Sequence, residues 1–126
     1  MADAGFRGPK QIYQAMKWSF QGLKATYQSE ASFRMEIYIF IFLLPCAYFL
    51  ADTHNDWILL IGSALLVLLV EIINSAIEAI VDLVCGEEHH VLAGRAKDMG
   101  SAAVFMSQVI VVLVWGVIFY HNILVW

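Results

Sequence analysis

Apolar residues fall into three long runs, separated by short polar connections. The pattern predicts membrane spans at about residues 31–51, 57–84 and 99–124. Each is long enough to cross roughly 30 Å of hydrocarbon, which takes about 20 helical residues. Pro45 lies inside the first run and is a candidate kink, which membrane helices tolerate. The third run carries no Lys, Arg, Asp or Glu. Ahead of the spans, residues 10–29 follow a different rule. Ile12, Met16, Phe20, Leu23 and Tyr27 fall on one side of a helix. Lys10, Lys17 and Lys24 recur on another side, beside Gln14, Gln21 and Gln28. At about 100° per residue, the apolar set clusters within roughly 80°. This pattern fits a helix lying on a charged membrane surface, although a helix packed on protein reads the same way. Pro9 suits a helix start and Gly86 the end of the second span. The expected fold is therefore an all-α membrane protein, one domain over residues 1–126, with an amphipathic surface helix and three transmembrane helices.

Composition supports that class. The chain is 61% hydrophobic and only 14% charged, against about 25% charged residues in soluble domains. The seven Lys and Arg residues (Arg7, Lys10, Lys17, Lys24, Arg34, Arg95 and Lys97) all lie before the first span or between the second and third. The positive-inside rule then places the N-terminus and the second connection in the cytoplasm and the C-terminus outside. No cleavable leader is expected, because the first apolar run begins only at Ile37. No nucleic-acid partner is expected either. Cys46 and Cys85 sit on different spans at opposite depths, which argues against a disulfide. Trp57, Trp115, Tyr120 and Trp126 include interface anchors, and Trp115 is the one expected to be buried.

The second span holds the chemistry. Glu71, Asn74, Glu78 and Asp82 fall at i, i+3, i+7 and i+11, within roughly 80° on a helix. A charge at bilayer depth costs about 2.5–3.5 kcal/mol on insertion scales and usually marks a site. With Trp57 at the outer interface, Glu71 lies about 21 Å further in, at about 1.5 Å per residue. Glu78 then falls at headgroup level and Asp82 in the water. A stripe running from hydrocarbon to water suits a metal ion or a proton transfer. It also suits a reaction between a lipid and a water-soluble cosubstrate. The alternative is that the carboxylates bridge subunits or pair with Lys and Arg. Three spans are expected to cover such a stripe poorly, so an oligomer is expected on either reading.

The second connection reads CGEEHHVLAGRAKDMGSA. Arg95 and Lys97 beside these carboxylates suit phosphate binding, although they also satisfy the charge rule for topology. Glu87, Glu88, His89 and His90 suit polar nucleotide contacts or a solvated loop. No second His/Cys pair accompanies them to complete a zinc site. There is no Walker-A pattern and no dinucleotide glycine fingerprint. Glu30, Arg34 and Glu36 flank the start of the first span, with Glu30 at the level of Glu78. Two acidic residues meeting there suit Mg²⁺, which takes oxygen ligands; a simple helix-end charge group is the alternative.

Three segments carry a resemblance: EASFRMEI (30–37), VEIINSAIEAIVD (70–82) and GRAKDMGSAAV (94–104). Together they resemble the small integral-membrane diacylglycerol kinases of Gram-negative bacteria, over nearly the whole chain. The resemblance implies a homotrimeric bundle in the bacterial inner membrane, with a cytoplasmic N-terminus and a periplasmic C-terminus. It implies ATP-dependent phosphorylation of diacylglycerol to phosphatidic acid, with Mg²⁺, in phospholipid recycling. On that pattern Glu71 is the general base on the lipid hydroxyl, and Asn74 and Lys97 complete the catalytic set. Glu30 and Glu78 match the metal-binding glutamates. Lys10, Gln11, Trp18, Glu30, Glu78, Glu88, His90, Lys97 and Asp98 match nucleotide-binding positions. Lys24, Arg34, Glu36, Glu71, Ser101 and Trp115 match lipid-binding positions.

The chain also departs from the pattern. Gln11 stands where the family has arginine, with Lys10 adjacent. Trp18 stands where tyrosine is common. The connection after Asp82 is one residue longer, so Glu87/Glu88 and His89/His90 each leave two registers open. The related undecaprenol kinases share the catalytic motifs, and the basic amphipathic helix favours the diacylglycerol enzyme. From other classes, the stripe also fits a small ion or proton conductor, or a non-catalytic regulatory subunit.

Overall fold

The computed structural model describes Gly5 and residues 8–125. Arg7 and Trp126, used above for orientation and as an interface anchor, lie outside the described residues. Within them the structure is helical: α1 (Pro9–Ser29), α2 (Ala31–Leu50), α3 (His54–Cys85) and α4 (Val91–Phe119). A short π-helical turn, Tyr120–Leu124, continues α4. Three stretches among the described residues are long and apolar enough to cross a membrane: Ala31–Leu50, His54–Cys85 and Val91–Leu124.

Local chemistry sets the helix ends. Glu30 alone separates α1 from α2, with extended backbone angles (φ −117°, ψ 110°). Its N–H still closes α1 on the Thr26 carbonyl at 2.9 Å. The Arg34 guanidinium reaches back to the carbonyls of Tyr27 (2.7 Å) and Gln28 (3.1 Å). These carbonyls end α1 without intrahelical partners, and a cation there satisfies both the acceptors and the helix dipole. α2 runs as one helix through Pro45.

α3 starts at a capping box, in which Thr53 Oγ1 accepts from the Asp56 N–H while Asp56 accepts from the Thr53 N–H. The helix therefore begins three residues before Trp57, because Thr53-x-x-Asp56 outweighs the polarity of His54 and Asn55. It ends on Gly86, whose φ of 58° is open to glycine at little cost. The expected connection is largely helical. α4 begins at Val91 rather than at residue 99, with His90 Nδ1 accepting from the Leu92 N–H at 3.1 Å. Arg95, Lys97 and Asp98 thus stand on the first turns of α4, beside the last turns of α3. Cys46 and Cys85 are free.

The packed core lies at the end of the bundle away from Glu30. Ala47, Leu50, Leu60 and Ile118 are buried there, with Val114 and Trp115 against them. The Trp115 Nε1–H donates to the Leu60 carbonyl at 3.2 Å, so the partly buried ring pins α4 to α3. Asn122 ties three elements together. Its amide nitrogen donates to the Leu50 carbonyl and to Asp56 Oδ2, both at 2.9 Å. Asn122→Ala removes both bonds and is expected to cost about 1–2 kcal/mol. A lowered thermal midpoint in detergent, with unchanged turnover per folded molecule, would bear this out.

The outer faces of the spans are apolar and exposed, as at Ile58, Leu65, Val112 and Leu113. On α1, Ile12, Met16, Phe20 and Leu23 are exposed as well, so the spans of this chain do not cover that stripe. α1 meets the spans near its C-terminal end, where Thr26 is buried and the Tyr27 and Tyr38 hydroxyls are 2.6 Å apart.

Candidate active site

The acidic stripe of α3 points between α2 and α4. Glu71 is 5% exposed and Asn74 is 8% exposed. Glu78 is half-buried and Asp82 is exposed. The polar ramp expected from the spacing is present. The chain's own three spans enclose its deep end and leave its lower end, at Glu78 and Asp82, open. Small residues make this possible. Gly100 of α4 lies so close that a Cβ there would strike Asn74 Oδ1. Bare backbone at such a crossing lets membrane helices approach closely.

Asn74 spans two environments. Its Nδ2 faces Glu78 Oε1 at 3.4 Å, while Oδ1 is buried with no donor. An unsatisfied buried acceptor in a native site calls for an explanation, and a polar ligand arriving there is one. Glu71 feels the charges of Glu30 and Glu78 from one side and adjoins the Glu36 carboxyl on the other. Three acidic side chains, from the Glu30 joint, α2 and α3, are thereby gathered around the buried Glu71 carboxyl. Ser75 Oγ donates to the Glu71 carbonyl at 3.0 Å and leaves the Glu71 carboxyl untouched.

Lys97 supplies a cation. Its Nζ lies 2.7 Å from Asp82 Oδ1 and close enough to Glu78 for their charges to interact. Both side chains of the pair keep substantial exposure (43% and 63%). Such pairs contribute about 0–1 kcal/mol, so a phosphate can compete for Lys97 at low cost. Among the described residues, no three His, Cys, Asp or Glu side chains converge tightly enough to enclose an ion unaided. Two carboxylates at the water-facing end are nonetheless the donor set that Mg²⁺ uses when phosphate oxygens and water complete its shell.

The structure thus gathers Glu30, Glu36, Glu71, Asn74, Glu78 and Lys97 around one site. Asp98 and Ser101 are exposed on α4, to either side of the Gly100 crossing. Glu88 and His90 are exposed in the connection, where His90 also caps α4. Lys24 is exposed on α1. Lys10, Gln11 and Trp18 are exposed in the N-terminal half of α1. Lys10 is about 30 Å from Glu30 along the helix, at about 1.5 Å per residue. That is longer than a nucleoside triphosphate, so Lys10 and Glu30 of one chain do not grip the same nucleotide in this arrangement. Trp115 lies in the core at the opposite end.

Sequence reasoning passed over two residues. Gly100 was legible only as one small residue among several. Gln108 was legible as a polar side chain inside an apolar run, and it lies next to Glu36.

Residues 17–119 match the family model of the prokaryotic diacylglycerol kinases. The chain is 44% identical over 113 residues to a diacylglycerol kinase of Haemophilus influenzae, covering 90% of this chain and 95% of that one. It is 42% identical over 115 residues to the diacylglycerol kinase of Escherichia coli K12, covering 91% and 93%. A Pseudomonas aeruginosa diacylglycerol kinase is 40% identical over 114 residues, covering 90% and 92%. With matches of this extent, and with three apolar helices of spanning length, the chain belongs to the prokaryotic diacylglycerol kinase family of multi-pass membrane proteins.

Proposed function

We propose that this protein transfers the γ-phosphate of ATP to the free hydroxyl of diacylglycerol, giving phosphatidic acid and ADP. The observation that carries this reading is the polar ramp on α3. Glu71 is buried among the spans and Asp82 is exposed beside Lys97. A lipid arriving from the side and a nucleotide arriving from the water meet along it.

Glu71 accepts the hydroxyl proton as the lipid oxygen bonds to the γ-phosphorus. The bond from that phosphorus to the β–γ bridging oxygen breaks, and ADP leaves. Phosphoryl transfer asks mainly for positioning and charge neutralisation. Lys97 leaves Asp82 to offset the charge on the phosphates. Asn74 orients the groups between Glu71 and Glu78 through its Nδ2, while its unpaired Oδ1 lies against Gly100. Glu30 and Glu78 would hold Mg²⁺, which when bound neutralises and aligns the phosphate oxygens. Asp98, Glu88, His90, Lys10, Gln11 and Trp18 are assigned to the nucleotide. Arg34, Glu36, Lys24, Ser101 and Trp115 are assigned to the lipid. The 30 Å separation of Lys10 from Glu30 supports a site shared between copies, and so the homotrimer. The uncovered apolar stripe of α1 supports a helix lying on the membrane surface. The lysines support a cytoplasmic position for that surface, with the C-terminus periplasmic in a bacterial inner membrane.

The test is phosphate transfer from labelled ATP by purified protein in mixed micelles, with dioleoylglycerol and undecaprenol offered in parallel. Labelled phosphatidic acid, lost on chelating Mg²⁺, is expected. Preferential labelling of undecaprenol would keep the chemistry and change the acceptor. No transfer to either lipid by folded protein would overturn the reading.

A further inference from the structure

A cleft of about 230 Å³ lies between α2, α3 and α4, beside the candidate site. Its walls are apolar, with Leu43, Val67 and Val111 from the three helices in turn. Among the described residues two polar side chains line it, the half-buried Glu36 and the exposed Gln108. Glu36 adjoins Glu71 on one side and Gln108 on the other. The order Glu71–Glu36–Gln108 therefore leads from the proposed base into the cleft. Glu36 Oε2 is buried and has no hydrogen-bond partner.

We propose that Gln108 is a specificity-determining residue for the acceptor lipid, its amide N–H donating to an ester carbonyl of the glycerolipid whose hydrocarbon fills this cleft. The inference rests on the diacylglycerol reading above and names the group that selects that acceptor. The apolar walls take an alkyl chain, as ligand clefts commonly do, while a few polar groups fix its orientation. A carboxamide has two N–H donors. One directed at Glu36 leaves the other for the ligand. Diacylglycerol carries two ester carbonyls, acceptors only, a few bonds from its hydroxyl. With the hydroxyl at Glu71, an ester falls further along the line, toward Gln108. A polyprenol has no ester and leaves the second N–H unpaired in hydrocarbon, which is costly. Sites built to hydrogen-bond a substrate group reject analogues that lack it.

The experiment compares wild type with Gln108→Leu on three acceptors in the same micelles: dioleoylglycerol, its dialkyl ether analogue and undecaprenol. The readout is the ratio of kcat/KM for ester over ether, in which the folded fraction cancels. Wild type is expected to favour the ester about tenfold, the scale of one hydrogen bond. Gln108→Leu is expected to bring the ratio close to one while leaving the ether rate within about twofold. A wild-type ratio near one, or an unchanged ratio in the variant, overturns the proposal. So does an equal loss on both acceptors, which would make Gln108 a structural tie between α4 and α2. If wild type phosphorylates no glycerolipid at all, the kinase reading falls and takes this proposal with it. Normal wild-type turnover with an unchanged ratio sinks this proposal alone.

Discussion

Glu71→Gln is expected to give a folded protein whose phosphoryl transfer falls by about 10²–10⁴-fold, the usual contribution of a positioned general base. The carboxamide has nearly the same shape as the carboxyl, and the site is 5% exposed, so packing is kept. What disappears is the ability to accept the hydroxyl proton. The same substitution removes one negative charge from beside Glu30, Glu36 and Glu78. Like charges close together oppose folding, so the thermal midpoint in detergent is expected to hold or rise. Loss of activity with a retained midpoint separates chemistry from scaffolding. Turnover within tenfold of wild type would remove Glu71 from the role of base. A collapsed midpoint would make the stripe a packing element instead.

Gly100→Ala is expected to lower turnover by about 10–10²-fold while the fold survives, because a misplacement of about 1 Å in a site costs on that order. The new methyl would occupy the space of Asn74 Oδ1, the far end of a side chain that can turn. Helical propensity favours Ala over Gly by about 1 kcal/mol, so the backbone has little reason to fail. The cost falls on Asn74, which must leave its place between Gly100 and Glu78. A double-mutant cycle isolates this route. In an Asn74→Ala background, Gly100→Ala is expected to add almost no further loss, because the group it displaces is already gone. Additive losses would mean that the substitution acts by moving α4 as a whole.

The two variants probe the site at different levels of legibility. Glu71 stands out in the sequence because a carboxylate inside an apolar run has few other reasons to be there. Asn74, Glu78 and Asp82 follow from it by helical spacing alone. Gly100 carries no such mark. Its importance comes from the distance between two helix axes, which no periodicity encodes. Gln108 falls between these cases. It is visible as a polar residue in an apolar run, but its proximity to Glu36 depends on how α4 is rotated against α2. The start of α4 is hidden for a related reason. Residues 91–98 include Gly94, Arg95, Lys97 and Asp98, as a connection would, yet the His90 cap and neighbouring α3 hold them helical.

Legible in the sequence alone were the number and rough extent of the apolar helices, the acidic stripe and the family. These follow from local periodicity, from the cost of charge in lipid and from short motifs, all carried by contiguous residues. Only the tertiary structure decided that one chain's own spans bury Glu71 and Asn74, that Glu36 and Gln108 share a cleft beside them, and that Asn122 clasps the far end. Those facts depend on the rotation and spacing of helices far apart in the chain. Side-chain volume and hydrogen-bond geometry between elements set those quantities, and no single segment contains them.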